Sequence, residues 1–168
     1  DALSVGGLND RNRLSRFGLT PYQSSYGPTI DGLQKPEIVA PSIWVAAPLL
    51  PGTVTAQQAG LLSLLLRTED SQLTAVLAQH ENVDETLDAA RHLTSPQLRQ
   101  LISMKVHDQN VISESYKHVD GTSFASPIVA SIAAQMIEAN PSLKPLEIKA
   151  ILTRTARRVG ELKPEQQG

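Results

Sequence analysis

D-G-T-S-F-A-S-P-I-V-A-S-I-A-A-Q-M-I-E-A, Asp120 to Ala139, joins a turn to a long apolar run. From Ser123 onward, Phe124, Ala125, Ile128, Val129, Ile132, Ala133, Met136 and Ile137 cover most of a helix's circumference. A helix apolar nearly all round is expected to be buried inside its domain. Asn140-Pro141 closes it, because Pro pushes the preceding residue out of helical geometry. Upstream, Tyr116 to Val119 reads as a strand ending at Asp120-Gly121. A hydroxyl residue at such a junction has two physical advantages. The helix N-terminus offers free N–H groups and a partial positive charge that can stabilise a developing oxyanion. Gly121, with no side chain, lets a substrate backbone approach closely. Pro127 removes a backbone bond near the end of the first turn, which a purely structural helix has little reason to tolerate. The plain alternative is that Thr122 or Ser123 is simply the helix N-cap.

Downstream, a second, amphipathic helix is expected from about Pro145 to Arg157, with Leu146, Ala150, Ile151 and Leu152 facing inward. Arg154, Arg157 and Arg158 would suit the negative end of its dipole, and Lys144 is an unusual cap for its start. Upstream, residues 1–51 are rich in Pro and Gly, and Leu3 to Val5, Glu37 to Ala40 and Ile43 to Ala47 read as short strands. Between Gly52 and Asn110 the texture changes to Leu, Ala and Gln with no aromatic residue, and three or four short helices are expected. Thr55 with Gln58 reads as a capping box, with Ala59, Leu62, Leu65 and Leu66 on one side. Ser95 followed by Pro96 reads as a second helix start, leading into Leu98, Leu101 and Ile102.

Three blocks, in the same order along the chain as in the family, resemble the subtilisin-like serine proteases, the subtilases. G-T-S-F-A-S-P (Gly121–Pro127) is similar to that family's nucleophile motif. S-Y-G-P-T-I-D-G-L-Q-K-P-E-I-V-A-P (Ser25–Pro41) is similar to its S-x-G-P-T-x-D-G-x-x-K-P-D/E-V-x-A-P stretch, and A-L-S-V-G-G (Ala2–Gly7) to the strand before it. Asn140 to Leu143 and Leu152 to Ala156 resemble its closing helix region. The implied fold is α/β: part of a mostly parallel sheet with helices on both faces, formed by residues 1–51 and 111–168, with 52–110 as a helical insertion at the rim of the cleft. The resemblance implies that Ser123 is the nucleophile and that its N–H donates to the oxyanion, with Thr122 in support. Val119, Asp120 and Gly121 would line the substrate cleft, the first two on the leaving-group side. Asp120 stands where the family commonly has Asn, so its role is open.

The resemblance also implies an Asp and a His that precede the Ser in the chain, in D-[ST]-G and H-G-T-x-V-A motifs. Neither motif is present. Asp31-Gly32 belongs to the G-P-T-x-D-G block, where the family's Asp is not catalytic. His80, His92 and His107 fall in the helical stretch, where exposed or capping roles are expected. His118 lies on the strand entering the motif and is not aimed naturally at the Ser123 hydroxyl. The family's oxyanion Asn, usually beside Gly, is missing too. In subtilisin, the reference case for the family, loss of the base alone costs roughly 10⁶ in turnover. The expected function is therefore that of a serine endopeptidase fragment supplying the Ser nucleophile for acyl-enzyme hydrolysis of a polypeptide substrate. It would be inactive without an upstream N-terminal half as its partner. The alternatives are a non-catalytic, partner-binding piece of a subtilase and a different hydrolase using Ser123 with an unrelated base.

Composition narrows the field. The 168 residues carry a net charge of −2, which gives no support to nucleic-acid binding through phosphate contacts. No apolar run approaches the roughly 20 residues of a membrane span. The absence of Cys excludes disulfides, thiolate metal sites and a Cys nucleophile. No cofactor or metal is expected. No signal segment is visible, and although the family is often secreted, the location stays open.

Overall fold

The computed structural model describes residues 2–13 and 18–168. In chain order, five short strands come first: β1 (Val5–Asn9), β2 (Thr20–Pro21), β3 (Gly27–Pro28), β4 (Gln34–Lys35) and β5 (Ile38–Pro41). Next come β6 (Val45–Pro48) and the helices α1 (Val54–Arg67), α2 (Leu73–Gln79), α3 (Glu85–Ala89) and α4 (Ser95–Asp108). The strands β7 (Val111–Ser113) and β8 (Tyr116–Val119) lead to α5 (Thr122–Ala139), α6 (Pro145–Thr155) and α7 (Pro164–Gln167). The chain divides into two compact units, one of residues up to 45 together with 119–168, the other of 46–118.

The first unit is built on the parallel pair β1–β5, with Val5 opposite Ile38 and Leu8 opposite Pro41. β2 adds antiparallel to β1, and β3–β4 is a separate antiparallel hairpin followed by a cis Lys35–Pro36 bond. The class is mixed α/β as expected, with small sheets. Period-2 alternation sends the two faces of β5 to different partners. Ile38 and Ala40 pack with Ala125 and Val129 of α5 and with Ile148 and Leu152 of α6. Val39 joins Leu8, Val159 and Leu162 in a second cluster. β1 runs through Gly6-Gly7, beyond the expected Leu3–Val5 strand. A Cβ at Gly7 would collide with the Ser42 side chain, so close approach requires the glycine here.

Glu37 ties this unit together. Its carboxylate accepts the Ser4 N–H at 2.7 Å and pairs with Lys35 at 2.9 Å and Lys149 at 2.6 Å. Burial pushes this carboxyl up, but the Lys149, Lys35 and Ser4 hydrogen bonds outweigh that and hold it at about 2.

α5 buries only a stripe. Ala125 and Val129 are buried, whereas Ile132 and Ile137 are 43% and 46% exposed. A helix of this composition is expected to be buried in a complete domain and to expose a large apolar face without the upstream half, and an exposed apolar face is what is seen here. α6 is rotated from the expected register. Ile148 and Leu152 face inward, while Leu146 and Ile151 are exposed. It ends at Thr155, so Arg154 alone of the three arginines sits in its last turn. Lys144 is its N-cap residue, and Glu147 compensates by accepting the Lys144 N–H at 2.8 Å.

The second unit has its own core of Leu62, Leu65, Leu73, Leu77, Leu98 and Ile102, all essentially inaccessible. This packing of leucines is why the stretch needs no aromatic residue. Its small sheet has the order β6-β8-β7. Two helix starts differ from expectation by one or two residues. Thr53, not Thr55, caps α1, its hydroxyl accepting the Ala56 N–H at 3.2 Å. Thr94, not Ser95, caps α4, with its N–H donating to Gln97 at 3.0 Å. The displaced α1 register leaves Leu66 49% exposed, and Leu61 is buried instead. Arg99 donates to the Leu65 carbonyl at 2.7 Å and also to that of Thr68, satisfying the end of α1 with positive charge. Asp84 caps α3 through the Leu87 N–H and is paired with Lys105 at 2.7 Å.

Candidate active site

α5 begins immediately after Gly121, which occupies the N-cap position with φ 140° and ψ 150°. That backbone conformation is open to glycine and strained for any side-chain-bearing residue. Thr122 and Ser123 are therefore the first two residues of the helix, and neither is its N-cap. The plain capping alternative is thus removed. Their backbone N–H groups lie in the first turn, where no intrahelical carbonyl is available to them. Ser123 is exposed and Thr122 half-buried. The Phe124 N–H closes the turn on the Gly121 carbonyl at 3.0 Å. Pro127 stands inside the helix, so the Ser123 carbonyl lacks its usual donor four residues on. The Ser126 hydroxyl folds back onto the Thr122 carbonyl at 3.3 Å.

Two hydrogen bonds hold the residues just before the helix. The Gly121 N–H donates to the Ser42 carbonyl at 2.7 Å. The Asp120 carboxylate accepts the Trp44 N–H, also at 2.7 Å. Ser42 is a firm anchor: it is fully buried, its N–H donates to the Leu8 carbonyl at 2.9 Å, and its hydroxyl donates to that of Ala40 at 3.1 Å. Trp44 has φ 57°, which interrupts the expected Ile43–Ala47 strand and delays β6 to Val45. Sequence reasoning flagged Asp120 as a departure but missed Ser42 and Trp44. A tryptophan carries no turn propensity, so nothing local announces its left-handed backbone.

Val119 is half-buried at the end of β8, and Asp120 is exposed. The histidines are placed as their surroundings suggest. The His80 Nδ1 lies 2.9 Å from the Val76 carbonyl at the end of α2, while His92 and His107 are exposed. His118 is half-buried on β8. Among the described residues, no group of three His, Cys, Asp or Glu side chains is arranged to hold a metal ion. No helix among them is long and apolar enough to cross a membrane. The first unit also contains an apolar hollow of about 380 Å³ lined by Leu3, Val5, Val129, Ala133, Ile148 and Leu152.

The model of the subtilase family matches residues 1–168. The serine protease AprX of Bacillus subtilis (strain 168) is 26% identical over 151 residues, which cover 89% of this chain and 23% of that protein. The chain thus spans about a quarter of the length of this relative. No solved structure matches it at a comparable level.

Proposed function

This chain belongs to the subtilase family of serine proteases, and on that premise we propose that it is the nucleophile-bearing part of an endopeptidase catalytic domain. Ser123 attacks the peptide carbonyl, forms an acyl-enzyme and releases the amine on the side of Val119 and Asp120. The Ser123 N–H, at the positive end of α5, donates to the oxyanion, and Thr122 supports it. The observation that carries this reading is an exposed Ser123 at the start of α5 whose hydroxyl is not used to cap the helix.

The catalytic Asp, the His base and the oxyanion Asn come from an upstream half of the domain, because no residue here stands in their motifs. The open face of α5 supports this. Ile132 and Ile137 on α5, with the hollow beside Val129 and Ile148, form apolar surface suited to further chain. The substrate is a polypeptide, and residues 52–110 are a helical insertion in the catalytic domain.

A fluorophosphonate probe, which reacts with activated serines, tests the proposal on this chain and on a form extended upstream. We expect labelling of the extended form, abolished by Ser123→Ala, and negligible labelling of the 168-residue chain. Absence of labelling in both would overturn the assignment. Rapid labelling of the short chain, lost in Ser123→Ala, would overturn the need for an upstream half.

A further inference from the structure

Among the described residues, non-glycine positions with positive φ are Arg11, Asn12, Trp44, Asn82 and Asn110. Asn adopts this conformation readily, because its short polar side chain bonds locally. Trp44, at φ 57°, is a bulky residue in this region, and such a backbone persists only where its surroundings hold it. The structure supplies that hold in the Asp120 carboxylate, 2.7 Å from the Trp44 N–H. We propose that Asp120 is a positioning residue for Ser123, acting through Trp44.

The inference rests on the reading of Ser123 as nucleophile and adds how it is aimed. Asp120-Gly121 is gripped twice, from residues two apart on the neighbouring segment. Ser42 takes the Gly121 N–H, and Trp44 gives its own N–H to Asp120. A single tie would leave the turn free to pivot about one bond. Two ties fix both its place and its rotation, and α5 starts at the next residue. The grip is passed to the sheet, because Ser42 is fully buried and bonded to Leu8 of β1. Asp120 is exposed, so burial does not demand a carboxylate there. What the geometry uses is one acceptor oxygen at the right distance. Asn preserves that oxygen and Ala does not.

The test compares Asp120→Ala, Asp120→Asn and the double variant Asp120→Ala/Trp44→Gly in the upstream-extended protein, reading probe labelling of Ser123 and peptide turnover. Asp120→Ala is expected to lower kcat and the labelling rate by about 10- to 100-fold with little change in KM, as for a misaimed nucleophile. Asp120→Asn is expected to be clearly faster than Asp120→Ala, because its amide oxygen still accepts the Trp44 N–H. The double variant is expected to stay as slow as Asp120→Ala, because glycine at 44 relieves the φ of 57° without giving Asp120-Gly121 back its second tie. Trp44 is the single tryptophan of these 168 residues, so in this chain its emission and quenching report the tie directly. They should change in Asp120→Ala and not in Asp120→Asn. Equal rates for Asp120→Ala and the unaltered protein, an Asn variant as slow as the Ala variant, or recovery of the rate in the double variant would each overturn the inference. Failure of the unaltered extended protein to label would overturn the nucleophile assignment and this inference with it. Normal labelling with an unaffected Asp120→Ala would overturn the inference alone.

Discussion

Gly121 carries the sharpest backbone requirement near the nucleophile. Its φ of 140° lies where a Cβ is strained, although space is available, the nearest atom to an added Cβ being Phe124 Cδ2 at 3.6 Å. The cost of Gly121→Ala therefore comes from the backbone and not from a clash. Urea unfolding should show a loss of about 1–3 kcal/mol. The start of α5 should shift with it, so Ser123 labelling in the extended protein should fall as well. A substitution of equal size at half-buried Gly60, which is helical and has nothing near its Cβ, should if anything stabilise. The G-T-S run could be read from the sequence because its residue types are unusual together. The φ of Gly121 could not, since glycine permits many conformations and selects none.

At the scale of elements, helix existence was legible and helix rotation was not. α1 was expected to turn Leu62, Leu65 and Leu66 inward together. The Thr53 cap starts the helix two residues earlier than the expected Thr55, and the buried set becomes Leu61, Leu62 and Leu65. Leu65→Ala should cost the second unit about 2–5 kcal/mol, as truncation of a fully buried leucine leaves a cavity. Leu66→Ala, at a position 49% exposed, should stay within about 0.5 kcal/mol. Denaturant titrations of the two variants distinguish this rotation from the one first expected. The same limit applies to α6, where Leu146 and Ile148 lie two residues apart and compete as inward positions. Only the packing against Ala40 and Val129 chooses Ile148.

Across the whole molecule, the first unit is assembled from both ends of the described chain, with residues 46–118 running between its two parts. Glu37 concentrates that assembly in one group, bonded to Ser4, Lys35 and Lys149. Its carboxyl is held at about 2 against an ordinary value of 4.5. A carboxyl depressed by folding stabilises the folded state above its unfolded pKa and loses that contribution as pH falls through the folded value. Glu37→Gln should therefore destabilise by about 1–3 kcal/mol at neutral pH. The gap from the unaltered chain should close between about pH 4.5 and about pH 2. Unfolding curves measured at a series of pH values check this, and a gap independent of pH would exclude the charge as the cause. The family, the α/β class, the Leu-rich helical stretch and the candidate nucleophile could all be read from residue order, because motifs and periodicity are local properties. The grip of Ser42 and Trp44 on Asp120-Gly121 and the triple hold on Glu37 could not. Each depends on groups far apart in the chain meeting at hydrogen-bond distance, and that follows from packing.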